Sequence, residues 1–95
     1  MTEIDVRDNP DRHRFELTVD GEPGGLADYR ERDGVVVIVH SEVDRQHRGK
    51  GLGNELARRT LDQLRERGVK VVPSCPFFAH YVSEHPEYDD LIAAK

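Results

Sequence analysis

The chain has 95 residues, 36% of them apolar, and its 14 Lys plus Arg stand against 19 Asp plus Glu for a formal charge of -5. That length carries one domain around one core, so residues 1–95 are read as a single unit. No run of about 18 apolar residues is present to span a bilayer, the charged start from Met1 to Asp11 has no apolar signal core, and an acidic chain lacks the broad positive field of a nucleic-acid binder. The single cysteine, Cys75, cannot close an internal disulfide and offers too few ligands for a structural zinc. The expectation is a cytoplasmic monomer with no metal, no membrane and no nucleic-acid partner.

Ile4 and Val6 alternate with charged residues before the turn Asn9-Pro10-Asp11, which predicts a short first strand. Phe15, Leu17 and Val19 then alternate with Arg14, Glu16 and Thr18, the period of a half-buried antiparallel strand that Asp20-Gly21 ends. After Gly24-Gly25, Leu26 to Arg32 reads as a strand with one wet face, and Asp33-Gly34 as a hairpin turn. Val35 to Val39 is an unbroken β-branched run. Its uniformity predicts a strand at the centre of the sheet, covered on both sides.

From Leu52 to Arg67, Leu52, Leu56, Ala57, Leu61 and Leu64 fall at helical spacing opposite Arg58, Arg59, Asp62, Arg65 and Glu66, and Gly68 is the expected stop. Val69-Lys70-Val71-Val72 follows as a strand ending at Pro73, so strand, helix and strand make a parallel unit with a right-handed crossover. Pro76 to Glu84 reads as a helix whose apolar face is Phe77, Phe78, Tyr81 and Val82, all taken as core. Pro86 interrupts it, and Glu87 to Ala94 would add a last turn or two packing Tyr88, Leu91 and Ile92. The fold class is α/β (α+β): a mixed, mostly antiparallel sheet of about five strands with one long crossover helix and short C-terminal helices.

The segment Asp44-Arg45-Gln46-His47-Arg48-Gly49-Lys50-Gly51-Leu52-Gly53 concentrates glycine and positive charge where the long helix opens. A helix start presents unpaired N–H groups and the positive end of its dipole, and glycines let an anion approach them closely. A phosphate or pyrophosphate is the natural ligand. A Walker A loop would need Ser or Thr where Gly51 stands, and the dinucleotide fingerprint would need Gly or Ala at Asn54, so ATP and NAD are disfavoured. A plain tight turn would explain the glycines but not the crowding of Arg45, Arg48 and Lys50. An RNA contact would call for exposed aromatics in the loop, which has none.

Gln46-His47-Arg48-Gly49-Lys50-Gly51 fits the pattern Gln/Arg-x-x-Gly-x-Gly/Ala by which the GNAT superfamily of acyltransferases holds the pyrophosphate of acetyl-CoA. Val39-His40-Ser41-Glu42-Val43, Val72-Pro73-Ser74-Cys75-Pro76-Phe77 and His85-Pro86-Glu87-Tyr88 further resemble the small single-domain Yjdj-type N-acetyltransferases. The resemblance covers most of residues 13 to 92. It implies a GNAT-like fold and acetyl transfer from acetyl-CoA (coenzyme A) to an amine acceptor, such as an exposed protein amine or a polyamine. The alternative is a CoA-binding module with little or no catalytic activity. The resemblance also implies that Gly49, Gly51 and Gly53, with Arg45, Gln46, Arg48, Lys50 and Leu52, bind the pyrophosphate, and that the strand end bearing Ser41 and Val43 pairs with pantetheine. It places His40 and Cys75 near the acetyl group. Larger members insert two helices between the first strands; short turns stand here instead, so the acceptor pocket is expected to be open or absent.

Topology brings the same residues together. In a right-handed strand-helix-strand unit the carboxyl ends of both strands and the helix N-terminus share one sheet edge. Paired strands lie about 4.8 Å apart, so His40 and Cys75 are expected within reach of one thioester carbonyl. An imidazole can accept the amine proton near neutral pH, and a backbone N–H of the central strand can bond the developing oxyanion. Cys75 could protonate the departing CoA or take the acetyl group first, and both routes stay open.

Overall fold

The computed structural model describes residues 3–45 and 51–93. Two Asp-Gly pairs fold the first half. Asp20 and Gly21 (φ 51° and 85°) and Asp33 and Gly34 (φ 53° and 78°) both take the left-handed conformation, which suits the twist of two-residue hairpins. They join β2 (Arg14–Val19) to β3 (Glu22–Arg32) and β3 to β4 (Val35–Val43), while β1 (Ile4–Asn9) pairs antiparallel with β2. Helix α1 (Leu52–Arg67) crosses over to β5 (Lys70–Pro73), which pairs parallel with β4. Helix α2 (Pro76–Glu84) and a 3-10 helix (Pro86–Leu91) complete the fold. The five strands lie in the order β1-β2-β3-β4-β5, the mixed sheet expected from the sequence.

Three expectations about the strands and the tail are corrected. The third strand begins at Glu22, so Gly24 and Gly25 lie inside it, where the register with β2 shifts between Leu17 and Thr18. A Cβ built on Gly25 would lie 2.8 Å from the Glu42 carbonyl oxygen, so glycine lets β3 and β4 close up there. Strand β4 is fourth of five and is covered on one face only: Val36 and Ile38 are buried, Val35 and Val37 half-buried, and Val39 is 39% exposed. Its valines serve the pleated backbone rather than double burial. The tail after Pro86 is a 3-10 helix burying Tyr88 and Leu91; Ile92 then leaves it to bridge Val71, whose carbonyl accepts from Ala93 N–H at 2.9 Å.

One cluster joins the inward side chains of the sheet, such as Phe15, Leu17, Ile38 and Val71, to those of both helices. Helix α1 contributes Leu52, Leu56, Ala57, Thr60, Leu61 and Leu64. Its flank also covers the edge strand: Arg59 donates to the Ile4 carbonyl and Gln63 to the Val6 carbonyl, each at 2.7 Å. Four helix residues advance about 6 Å and two strand residues about 6.8 Å, so the spacings match and these two edge carbonyls are closed to further pairing. Phe77 departs from the expected core and is 38% exposed. On α2 the buried set is Phe78, Tyr81 and Val82, and the helical rotation carries Phe77 to its rim. Among the described residues no helix is long and apolar enough to cross a membrane.

Candidate active site

Strand β5 is too short to accompany β4. Pairing runs from Val35↔Lys70 to Ile38↔Pro73, then Cys75 N–H donates to the Ile38 carbonyl at 2.8 Å and the chain turns into α2 at Pro76. Strand β4 continues through Val43 with no β5 partner among the described residues. The sheet is therefore split at the carboxyl ends of its two parallel strands. Helix α1 begins on that side.

A bulge decides which side chains border the split. Tyr29 pairs with Ile38 but Asp28 pairs with His40, leaving Val39 as an extra residue in β4. Beyond it the alternation is reversed. Strict alternation would turn His40 inward with Val36 and Ile38; instead it lies opposite Asp28 on the open face, where its Nε2 is 2.8 Å from Glu42 Oε2. Both side chains of this pair are more than half exposed. Ser41 takes the inward direction, and its Oγ lies 3.1 Å from the Sγ of Cys75, which is 4% exposed. The bulge thus sets His40 and Cys75 on opposite faces of the sheet, flanking the split.

At the start of α1, Gly51 adopts φ 73°, and no side chain caps the helix among the described residues. The first helical bond, Glu55 N–H to the Gly51 carbonyl, is 3.2 Å. Gly53 lies beneath Phe77, where an added Cβ would come within 3.0 Å of the ring's Cζ. Leu52 is 3% exposed, so its side chain belongs to the core and only its backbone can serve a ligand. Arg45 is exposed and Val43 half-buried, while Gln46, Arg48, Gly49 and Lys50 lie outside the described residues. Asp44 N–H donates to the Gly24 carbonyl at 2.8 Å and ties the end of β4 to β3.

Two partners escape sequence reasoning. Glu42 follows His40 by two residues and so shares its face of the strand, but no motif gives it a role; Ser41 reads as a cofactor contact but also holds Cys75. The single available sign was the change from β-branched to polar residues at His40.

A family model described as GCN5-related N-acetyl-transferase matches residues 14–91. Among curated proteins, Protein NATD1 of Gallus gallus is 35% identical over 52 residues, 55% of this chain. The chain spans about half the length of that relative, 47% of it. Among solved structures, a GCN5-like protein from Staphylococcus aureus superposes with a TM-score of 0.72 at 22% identity, over 100% of this chain and 93% of that one. A ribosomal-protein-alanine N-acetyltransferase from Brucella melitensis gives 0.61 at 19% identity, over 99% and 92%. At these identities the likeness is one of fold.

Proposed function

The chain belongs to the GCN5-related N-acetyltransferase family, and from that premise we propose that it moves the acetyl group of acetyl-CoA to an amine, with exposed protein amines and polyamines as the acceptor class. The observation that carries this reading is the split between β4 and β5, bordered by an imidazole on one face and a thiol on the other. Acyl transfer needs a proton acceptor on the amine's side and a proton donor on the leaving group's side. Opposite faces meet that need better than one shared face. The glycine-led start of α1, with no side-chain cap among the described residues, supports a pyrophosphate at the end of the split.

Acetyl-CoA supplies the activated thioester when bound. His40 takes a proton from the incoming amine, and Glu42 holds the imidazole and balances the charge it acquires. As the N–C bond forms and the C–S bond breaks, the Cys75 thiol, held by Ser41, gives its proton to the departing sulfur. Solvent then returns the His40 proton to Cys75. The burial of Cys75 favours this role over that of a nucleophile.

The test is release of free CoA thiol across a panel of primary amines. His40→Ala should lower kcat by about 10²–10⁴-fold while calorimetry still registers CoA. Mass spectrometry after mixing with acetyl-CoA alone should find Cys75 unmodified; an acetyl adduct there would replace the proton-donor role with a covalent one. Retained CoA binding with no amine supporting thiol release would reduce the site to a binding module.

A further inference from the structure

Phe77 is left over from the core. Phe78, Tyr81 and Val82 fill the buried face of α2, while Phe77 keeps 38% of its surface in solvent. A half-exposed phenylalanine alone means little, but this one is seated in an unusual way. A Cβ built on Gly53 would lie 3.0 Å from its Cζ and 3.5 and 3.6 Å from its Cε1 and Cε2, all atoms at the tip of the ring. The ring therefore stands end-on against the first turn of α1. Gly53 lies within that helix and outside the left-handed region, so its backbone does not call for glycine, which weakens a helix relative to alanine. The missing side chain makes room for the Phe77 ring.

The same turn of α2 carries Cys75. Pro73 and Pro76, neither with an N–H, bracket the two-residue link from β5 to α2. In it Ser74 N–H donates to the Val72 carbonyl at 3.0 Å and Cys75 N–H to the Ile38 carbonyl at 2.8 Å. The Cys75 carbonyl accepts the first bond of α2, from Ala79 N–H at 2.9 Å, so the thiol and the Phe77 ring, two residues apart, belong to one hydrogen-bonded turn. The Cys75 N–H sets where that turn sits along β4. How near it comes to the start of α1 is set by the ring that stands between the two helices. We propose that Phe77 is a positioning residue: its tip, braced on Gly53, fixes the distance from the first turn of α1 to the Cys75 thiol, and so holds the proton donor beside the sulfur of a CoA seated on that turn. The ring acts through Cys75, not on the cofactor. The use made of that distance rests on the acetyl-transfer reading; the brace itself does not.

Cys75 is the only cysteine of the chain, so its alkylation by iodoacetamide reads the hold on this one thiol. The test follows that rate in the full chain, beside turnover of acetyl-CoA with a primary amine. Phe77→Ala should speed alkylation about tenfold or more by freeing the turn, and should lower kcat about 10- to 100-fold, the scale for a misplacement of about an ångström, with KM for acetyl-CoA within about twofold of the parent. Phe77→Met, with a flexible side chain of similar reach, should restore both. Phe77→Tyr should behave like the alanine variant, because its hydroxyl extends from Cζ into the space of the Gly53 backbone. Tyrosine keeps the ring and its bulk, so general packing alone would leave that variant close to the parent. Should Phe77→Ala fail to fold, the contrast between methionine and tyrosine decides. Unchanged alkylation in Phe77→Ala, parent-like behaviour of Phe77→Tyr, or a raised KM with kcat intact would each overturn the brace. The expected alkylation pattern in a protein that releases no CoA thiol with any amine would sink the acetyl-transfer reading and leave the brace standing.

Discussion

The two ends of α1 are built on the same device and put it to opposite uses. Gly51 and Gly68 flank the helix with nearly equal left-handed φ, 73° and 72°. At the C-terminal end Gly68 N–H closes back on the Arg65 and Leu64 carbonyls, and side chains then bind the end to the rest of the fold. Arg67 reaches Asp8 at 2.9 Å over the Phe15 ring, and Asp8 accepts from the Tyr29 hydroxyl at 2.6 Å. Arg65 lies over Tyr88, whose hydroxyl donates to Asp62 at 2.8 Å, and pairs with Asp90 at 2.7 Å. At the N-terminal end Gly51 precedes a first turn with no side-chain cap among the described residues. One end holds the helix in place. The other, on the proposed function, leaves backbone for the CoA pyrophosphate, and stability and binding should then be separable along a single element.

The largest effect should come from breaking the anchored end. Asp8→Ala removes the partner of both the exposed Arg67 and the 4%-exposed Tyr29, and should cost about 2 kcal/mol in urea unfolding, the scale for stranding a buried hydroxyl, to which the exposed cation adds little. CoA binding, measured below the unfolding midpoint, should survive it. The same anchors set a response to alkali. Burial first, and then donation to Asp8 and Asp62, raises the Tyr29 and Tyr88 hydroxyls well above the ordinary tyrosine range, and burial raises Tyr81 as well. A folded value above the unfolded one means that the stabilisation is full below about pH 10 and is lost as pH climbs beyond it. Tyrosinate absorbance should therefore appear together with loss of circular dichroism. Ionisation in the still-folded protein near pH 10 would show the anchors to be loose.

A matched pair of substitutions tests the comparison directly. A Cβ on Gly51 or on Gly68 meets nothing within 4 Å, so Gly51→Ala and Gly68→Ala should each cost only the left-handed backbone term, about 1 kcal/mol. Equal losses of stability should accompany unequal losses of function. Gly51→Ala should weaken CoA binding in calorimetry, and Gly68→Ala should leave it unchanged. Equal binding in the two variants would mean that the first turn does not serve the ligand.

Much of this architecture is legible in the sequence because single residues carry it. Asp20-Gly21 and Asp33-Gly34 fix both hairpins, the Leu52-Leu56-Leu61-Leu64 stripe fixes α1, and Pro76 with the residues after it marks α2. The site is less legible. Val35 to Val39 has no period, so nothing in it announces that Val39 is an extra residue and that every side chain after it changes face. That one bulge turns His40, with Glu42 two residues on, to the open face and Ser41 inward to Cys75, an assignment of faces that spacing alone does not give. The exposure of Phe77 is hidden for another reason: α2 turns Phe78, Tyr81 and Val82 into the core, and the Phe77 ring is left at the rim against Gly53, 24 positions earlier.

The smallest expected change lies between the two ends. Thr60 is fully buried in α1, and among the described residues its Oγ1 has no hydrogen-bond partner. A mid-helix threonine ordinarily relieves that cost by bonding a carbonyl one turn back, and no such bond is made here. Valine keeps the β-branch and nearly the volume, so Thr60→Val should stabilise the fold by up to about 1 kcal/mol, a rise in Tm of roughly 4–8 °C for a domain of this size. Nine residues separate Thr60 from Gly51, about 13.5 Å along the axis, far enough for the two effects to add. Gly51→Ala/Thr60→Val should therefore recover the stability of the parent chain while remaining as poor in CoA binding as Gly51→Ala alone. If binding recovers together with stability, the loss in Gly51→Ala was a symptom of unfolding and not of a spoiled helix start.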